Sequence, residues 1–118
     1  MSKLVLLIDD EEDVRETLRD ILEDRGYRVS VAENGRAALD LLRSNERPCF
    51  VLLDLIMPEM NGWEFLDAIE RDEQLADLPI VISTSAPDQA PADRRVLPKP
   101  LNLAMLLEQV RVACPNCK

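Results

Sequence analysis

The chain has 118 residues, a hydrophobic content of 47%, a charged content of 31% and a formal net charge of −9 at pH 7. These values predict one soluble globular domain over 1–118, with a core at about 3–113 and a tail at 114–118. The negative charge argues against nucleic-acid binding, because a phosphate backbone repels an acidic surface. The sequence contains no histidine, which excludes histidine-based acid–base catalysis and histidine metal sites.

The apolar segments and the cysteines predict a cytoplasmic protein that does not enter a membrane. The N-terminal apolar run covers only residues 4–8 and is followed by acidic residues, unlike a secretory leader. No segment reaches the roughly 20 apolar residues of a membrane span. Three cysteines without regular spacing predict no disulfide. We expect Cys49 to be a small core residue and Cys114-Pro-Asn-Cys117 to be a frayed tail, with an intermolecular zinc site or accidental oxidation as its alternatives.

Predicted strands and helices alternate along the chain. Apolar runs of strand length occupy residues 3–8, 27–32, 50–53, 79–84 and 95–97. Helical spacing of apolar residues occupies 11–25, 34–45, 61–73 and the stretch that begins at Asn102. Alternation of this kind predicts an α/β fold with a doubly wound, five-stranded parallel sheet in the flavodoxin-like order 2-1-3-4-5.

The fourth crossover departs from this pattern. Only the 14 residues 85–98 separate Thr84 from Lys99, and three of them are prolines. A parallel crossover that contains a helix needs about a dozen residues before the next strand begins. The sequence therefore predicts that helix 4 is shortened or replaced by a loop.

Acidic residues follow two strands that the predicted order makes neighbours. In order 2-1-3-4-5 the direction of winding reverses between strands 1 and 3, and ligands bind beyond the carboxyl ends of the strands there. Asp9 and Asp10 follow strand 1, and Asp54 ends strand 3. Three carboxylates in one crevice repel one another and raise at least one pKa. Mg²⁺ relieves that repulsion and suits a mixture of carboxylate, water and phosphate oxygens.

Strands 4 and 5 add a hydroxyl and an ammonium group to the same rim. Thr84 ends strand 4, and Lys99 follows strand 5. A metal and Lys99 can neutralise phosphoryl oxygens, Thr84 can donate a hydrogen bond to one, and a carboxylate can act as the nucleophile. The combination predicts a site that handles phosphate.

Four segments of the sequence together resemble the receiver domain of two-component response regulators, the CheY-like fold. They are Leu7–Glu11, Leu53–Gly62, Pro79–Thr84 and Leu97–Pro100, and the resemblance runs from Leu4 to about Ala113. It implies that Asp54 accepts a phosphoryl group from a phosphohistidine on a sensor histidine kinase or histidine phosphotransfer protein. The chain would then signal through changed binding to a partner protein, as a monomer or weak dimer, and not as an enzyme.

The resemblance also implies a role for each residue around Asp54. Asp9 and Asp10 would hold Mg²⁺ together with a carboxylate oxygen of Asp54 and the backbone carbonyl of Ile56. Thr84 would be the switch hydroxyl, chosen over its serine neighbours by the family register. Lys99 would pair with the phosphoryl group, and the Lys99–Pro100 peptide is often cis in this family.

Several positions depart from the family pattern. Val96 stands where the family commonly has an aromatic residue, so the usual aromatic switch linked to Thr84 is absent. With helix 4 reduced, we expect output to run through a rearranged loop at 85–95, or through the first and last helices. The apolar Ile56 and Ala86 predict slow self-dephosphorylation, since polar residues there can position an attacking water.

Less specific interpretations remain for the same residues. Asp9 and Asp10 could be simple helix N-terminal acids, Asp54 a solvated strand end and Lys99 a surface lysine. The alternative functions are a pseudo-receiver adaptor that is not phosphorylated and a phosphohydrolase with an aspartyl nucleophile. The second resembles haloacid dehalogenases, which carry Asp-x-Asp after the first strand, whereas Leu55 and Ile56 follow Asp54 here.

Overall fold

A computed structural model of the chain describes residues 3–44, 46–57 and 59–114. The strands of this part are Leu4–Ile8 (β1), Arg28–Ala32 (β2), Phe50–Asp54 (β3), Ile80–Thr84 (β4) and Arg95–Pro98 (β5). The α-helices of this part are Glu12–Asp24 (α1), Gly35–Ser44 (α2), Gly62–Glu70 (α3) and Leu103–Ala113 (α4).

The strands form one parallel sheet in the order β2-β1-β3-β4-β5, which confirms the predicted topology. Every residue of β1, β3 and β4 is buried, as expected for strands covered on both faces. One apolar cluster joins the sheet to α2 and α3, and a second joins its other face to α1 and α4. The edge strand β2 has fewer apolar residues and is less buried.

Local side-chain hydrogen bonds set the ends of α3. Asn61 accepts from the backbone N–H of Glu64 while the Glu64 side chain accepts from that of Asn61, which forms a capping box. The helix ends at Glu70, earlier than the predicted residue 73, because the Asp72 side chain accepts from the backbone N–H of Gln74 and favours a turn. Across the described ranges, no helix combines the length and hydropathy that crossing a membrane requires.

The fourth crossover contains a short 3-10 turn at Pro87–Gln89 in place of an α-helix, as predicted. Two contacts hold this segment against α3. The indole Nε1 of Trp63 donates to the carbonyl of Gln89 at 3.2 Å, and Arg94 Nη2 lies 3.0 Å from Glu70 Oε2. The segment 85–94 is therefore attached to α3, and its 3-10 turn also contacts β5.

The expectation that the cysteines form no disulfide is wrong, although Cys49 packs against the apolar core as expected. Cys49, just before β3, forms a disulfide with Cys114, at the C-terminal end of α4. The two residues are 65 positions apart in the sequence, but the fold brings their Cα atoms to 5.6 Å, a distance typical of disulfides. Cys114 is buried and caps α4, so it is not part of a frayed tail. The rest of the predicted tail, 115–118, lies outside the described residues.

Candidate functional site

The carboxyl ends of β1 and β3 bring three acidic side chains together. The register pairs Ile8 with Leu53, so the acids that follow these residues lie side by side. Oxygen atoms of Asp9, Asp10 and Asp54 all lie within 4.8 Å of one another. Asp9 and Asp54 are buried and Asp10 is exposed, which leaves the cluster open to solvent on one side.

Backbone groups fix the two buried carboxylates. Asp9 Oδ1 accepts from the N–H of Glu11 at 2.8 Å, and the Asp9 carbonyl accepts from Arg15 Nη1 at 2.7 Å. Asp54 accepts from the backbone N–H of Ile56. Because the N–H groups of Glu11 and Ile56 belong to the turns that leave β1 and β3, the backbone of these turns sets the positions of the two carboxylates.

Lys99 lies within ion-pairing distance of the acidic cluster. Its Nζ is 3.6 Å from Asp54 Oδ1 and 3.6 Å from Asp9 Oδ2. Its backbone N–H donates to the Thr84 carbonyl at 2.8 Å, which ties the end of β5 to the end of β4. The Lys99–Pro100 peptide is cis, as the family resemblance implied.

Burial raises the pKa of Asp54 above its ordinary value. The positive charge of Lys99 opposes this effect, whereas the negative charges of Asp9 and Asp10 add to it, and the hydrogen bond from Ile56 opposes it. The net direction is upward, so Lys99 alone does not offset the burial and the neighbouring acids. A second positive charge in the cluster would favour ionised Asp54.

Thr84 and Ile56 lie at the same rim. Thr84 is buried as the last residue of β4, and its Oγ1 accepts from the backbone N–H of Ala86 at 3.1 Å. Its hydroxyl is thus linked to the first residues of the segment 85–94. The side chain of Ile56 is 61% exposed beside Asp54, so it presents an apolar surface to solvent at the entrance to the cluster.

Two further residues belong to the site and were not predicted to do so. Glu11 was interpreted as a helix N-terminal acid, but its Oε1 lies 3.9 Å from Lys99 Nζ. Arg15 faces back along α1 to the Asp9 carbonyl. The run Asp9-Asp10-Glu11 was the sequence signal that could have identified Glu11. The position of Arg15 in the sequence does not distinguish its contact with the Asp9 carbonyl from a solvent-exposed side chain.

Comparison with known proteins gives a family match. The sequence profile described as "Response regulator receiver domain" matches residues 5–111, which is most of the chain. The chain is similar to "Response regulator MprA" of Mycolicibacterium vanbaalenii, with 39% identity over 94% of this chain and 50% of that protein. The chain thus spans about half the length of curated relatives of this kind.

Solved structures agree with the fold. The chain is similar to the chemotaxis response regulator CheY4 of Vibrio cholerae, with a TM-score of 0.83, 29% identity and coverage of 96% of this chain and 99% of that one. It is also similar to a response regulator receiver protein from Pseudomonas putida, with a TM-score of 0.84, 28% identity and coverage of 95% and 98%.

Proposed function

Since the chain belongs to the response regulator receiver domains, the phosphoacceptor modules of two-component signalling, we propose that Asp54 is its phosphoacceptor. The observation that carries this assignment is the cluster itself. Asp54 is buried at the end of the central strand, shares a 4.8 Å cluster with Asp9 and Asp10, and lies 3.6 Å from the Lys99 ammonium. The donor is a phosphohistidine on a sensor histidine kinase or histidine phosphotransfer protein.

The transfer exchanges one bond to phosphorus for another. A carboxylate oxygen of Asp54 attacks the phosphorus, the bond from phosphorus to the donor imidazole nitrogen breaks, and that nitrogen keeps the electron pair and then takes a proton from water. The attack requires ionised Asp54. Lys99 favours this form, against the burial that raises the pKa of Asp54.

The donor set fits Mg²⁺. Three carboxylates within 4.8 Å supply hard oxygen ligands with an excess of negative charge, and one of them is open to solvent. Asp9, Asp10, Asp54 and the carbonyl of Ile56 are the groups that would hold the ion. When bound, the ion supplies positive charge that offsets the charge of the carboxylates and of the phosphoryl oxygens.

Lys99 and Thr84 stabilise the product. The Lys99 ammonium already lies between Asp54 and Asp9 and can pair with a phosphoryl oxygen on Asp54. The Thr84 hydroxyl can donate to another oxygen after it gives up the N–H of Ala86. Both groups lie at the ends of neighbouring strands, so a small movement of their side chains lets them contact a phosphoryl group on Asp54. These contacts connect the phosphoryl group to β4 and β5.

The segment 85–94 transmits the phosphorylation state of Asp54 to a partner protein. Ala86 loses its acceptor when Thr84 turns toward a phosphoryl group, and a buried or half-buried N–H without a partner is costly. Gln89 lies three residues further on and is bonded to Trp63 of α3. Rearrangement of this segment therefore changes the surface that it forms with α3, where a partner protein can distinguish the two states.

The apolar surroundings of Asp54 favour a long-lived phosphoryl group. Ile56 and Ala86 offer no side-chain hydrogen-bonding group that could orient a water molecule for attack on phosphorus. We expect slow self-dephosphorylation, and a glutamine at position 56 should accelerate it.

We also propose a cellular location and an oligomeric state for the chain. It is a signalling module in the cytoplasm, a single receiver domain over 1–118 without catalytic turnover or nucleic-acid binding of its own, working as a monomer or weak dimer. The net charge of −9 and the absence of a basic run support the lack of nucleic-acid binding.

Incubation with a small phosphodonor, such as acetyl phosphate or phosphoramidate, tests the proposal. With Mg²⁺ present, intact mass should show one added phosphoryl group that base and hydroxylamine remove. Asp54→Asn should abolish it, and Asp40→Asn, a change of an exposed acid on α2, should not. No incorporation into the wild-type chain, or equal incorporation into Asp54→Asn, would refute the assignment.

A further inference from the structure

The disulfide lies at the opposite end of β3 from Asp54. Cys49 immediately precedes β3, and Asp54 is the last residue of that strand. The bond joins the N-terminal end of the central strand to the C-terminal end of α4. No residue of the acidic cluster takes part in it, so its chemistry is separate from phosphoryl transfer.

The two cysteine residues differ in their exposure to solvent. Cys114 is 3% exposed, whereas Cys49 is only partly buried. Thiol–disulfide exchange needs a thiolate and a path for the attacking sulfur. A dissolved reagent therefore reaches Cys49 before it reaches Cys114.

The surroundings of Cys49 also accommodate a reduced thiol. Its Sγ lies 3.4 Å from the carbonyl oxygen of Leu4, which can accept a hydrogen bond from the S–H group. Its backbone N–H donates to the same carbonyl at 2.8 Å and holds the residue against β1. The position of Cys49 is therefore supported whether or not the disulfide is present.

We propose that Cys49 and Cys114 form a reversible redox site that reacts with low-molecular-weight disulfides. The Cys49 thiolate attacks one sulfur of the small disulfide, whose S–S bond breaks and releases one thiol. The Cys114 thiolate then attacks the Cys49 sulfur and releases the second thiol. Two protein thiols lose two electrons in total, and the small disulfide gains them. Reduction runs in the opposite direction and begins at Cys49.

The site controls how firmly the end of α4 is attached. Only Leu106 and Val110 are fully buried within the helix, so the covalent bond at Cys114 is a large addition to its attachment. Closing a loop across 65 residues also restricts the unfolded chain and stabilises the fold. In a reducing compartment such bonds form and break during regulation and do not persist as permanent cross-links. Oxidation thus fixes α4 while Asp54, at the far end of β3, keeps its surroundings.

Oxidised glutathione is the test reagent, applied to the full chain with Cys117→Ser so that two cysteines remain. We expect loss of both thiols without retained glutathione. In the same background, Cys114→Ala should retain one glutathione on Cys49, and Cys49→Ala should react at Cys114 at least about 10-fold more slowly, as burial dictates. In denaturing urea the two single-cysteine chains should react at similar rates.

Melting and peptide mapping complete the test. The oxidised chain should melt about 10 °C above the reduced chain, and circular dichroism should show the same fold in every variant. In the chain that keeps all three cysteines, mapping should find Cys49 joined to Cys114. A bond between Cys114 and Cys117, equal reaction rates of the folded single-cysteine chains, or retained glutathione on the two-cysteine chain would overturn the proposal.

Discussion

The ammonium of Lys99 lies 3.6 Å from a carboxylate oxygen of Asp54, although Asp54 ends β3 and Lys99 follows β5, two strands that are not neighbours in the sheet. β4 separates β3 from β5, and the lysine side chain reaches across its end. The distance between Lys99 and Asp54 therefore depends on the relative positions of the ends of β3, β4 and β5. Any change at one of them alters the electrostatic surroundings of the phosphoacceptor.

Replacing Lys99 with methionine should impair phosphorylation more than folding. The methionine keeps much of the aliphatic stem but removes the charge that opposes the raised pKa of Asp54 and that pairs with phosphoryl oxygens. We expect the rate of phosphorylation by acetyl phosphate to fall about 100-fold, the usual cost of losing one charge-stabilising group. Lys3→Met, at the other end of the sheet, is the matched control. Equal rates in the two variants would contradict the role of Lys99.

Asp54 should make the metal-free protein less stable as the pH rises. Its pKa is raised in the fold, so the folded state holds the proton more tightly, and stability linked to Asp54 is lost as the pH increases through the folded pKa. In the presence of a chelator, Asp54→Asn should therefore melt above the wild type at neutral pH, and the difference should shrink on acidification. Mg²⁺ should raise the melting temperature of the wild type more than that of the variant. The same curves for Asp40→Asn should follow the wild type; a lower melting temperature for Asp54→Asn would reverse the argument.

Gly62 should not tolerate a side chain. A Cβ atom there would lie 2.7 Å from Leu55 Cα and 2.8 Å from the Asp54 carbonyl oxygen, and backbone atoms cannot move aside cheaply. We expect Gly62→Ala to reduce the free energy of unfolding by about 1–3 kcal/mol, as for other overpacked sites. Gly35→Ala is a useful comparison, because the atom nearest to its Cβ, at 2.7 Å, is Cγ of the flexible Met60 side chain, and the nearest backbone atom, the Met60 carbonyl oxygen, lies farther away at 3.0 Å. Chemical denaturation should show the larger loss for Gly62→Ala, and the reverse ranking would be inconsistent with this geometry.

Trp63 should report the state of the site through its fluorescence. It is the only tryptophan in the sequence, and its indole is bonded to Gln89 in the segment that follows Thr84. Beryllofluoride with Mg²⁺, a mimic of the phosphoryl group, should change its emission and the amide exchange of 85–95. Thr84→Ala should reduce the change and Ser85→Ala should not. Unaltered exchange throughout 85–95 in the wild type would remove the loop from the output route.

The fold was predictable because the buried strands and the helices have distinct patterns of apolar residues in the sequence. β1 is a continuous apolar run, β3 and β4 are apolar except at their carboxyl ends, and alternation with amphipathic helices restricts them to a parallel sheet. Once the order was fixed, the positions of Asp9 and Asp54 followed, since acids at neighbouring strand ends must share one rim. The short fourth crossover was predictable from chain length alone.

Contacts between distant surfaces were not predictable in the same way. Cys49 and Cys114 pair only because the end of α4 lies over the start of β3, which no local spacing encodes. Glu11 has the same sequence pattern whether it faces solvent or Lys99. The bond between Trp63 and Gln89 depends on how a segment without regular helix folds onto α3.

The short fourth crossover leaves β5 less firmly held than β3. β3 has hydrogen-bonded neighbours on both sides, with two helices on each face of the sheet around it, so Asp54 is mounted on the stiffest part of the molecule. β5 has one neighbour and is covered on one side by a segment held to α3 through a few polar contacts. Local opening should therefore cost less at the edge strand β5 than at β3. The phosphoacceptor Asp54 is therefore held rigidly, and local movement is concentrated at the edge strand β5.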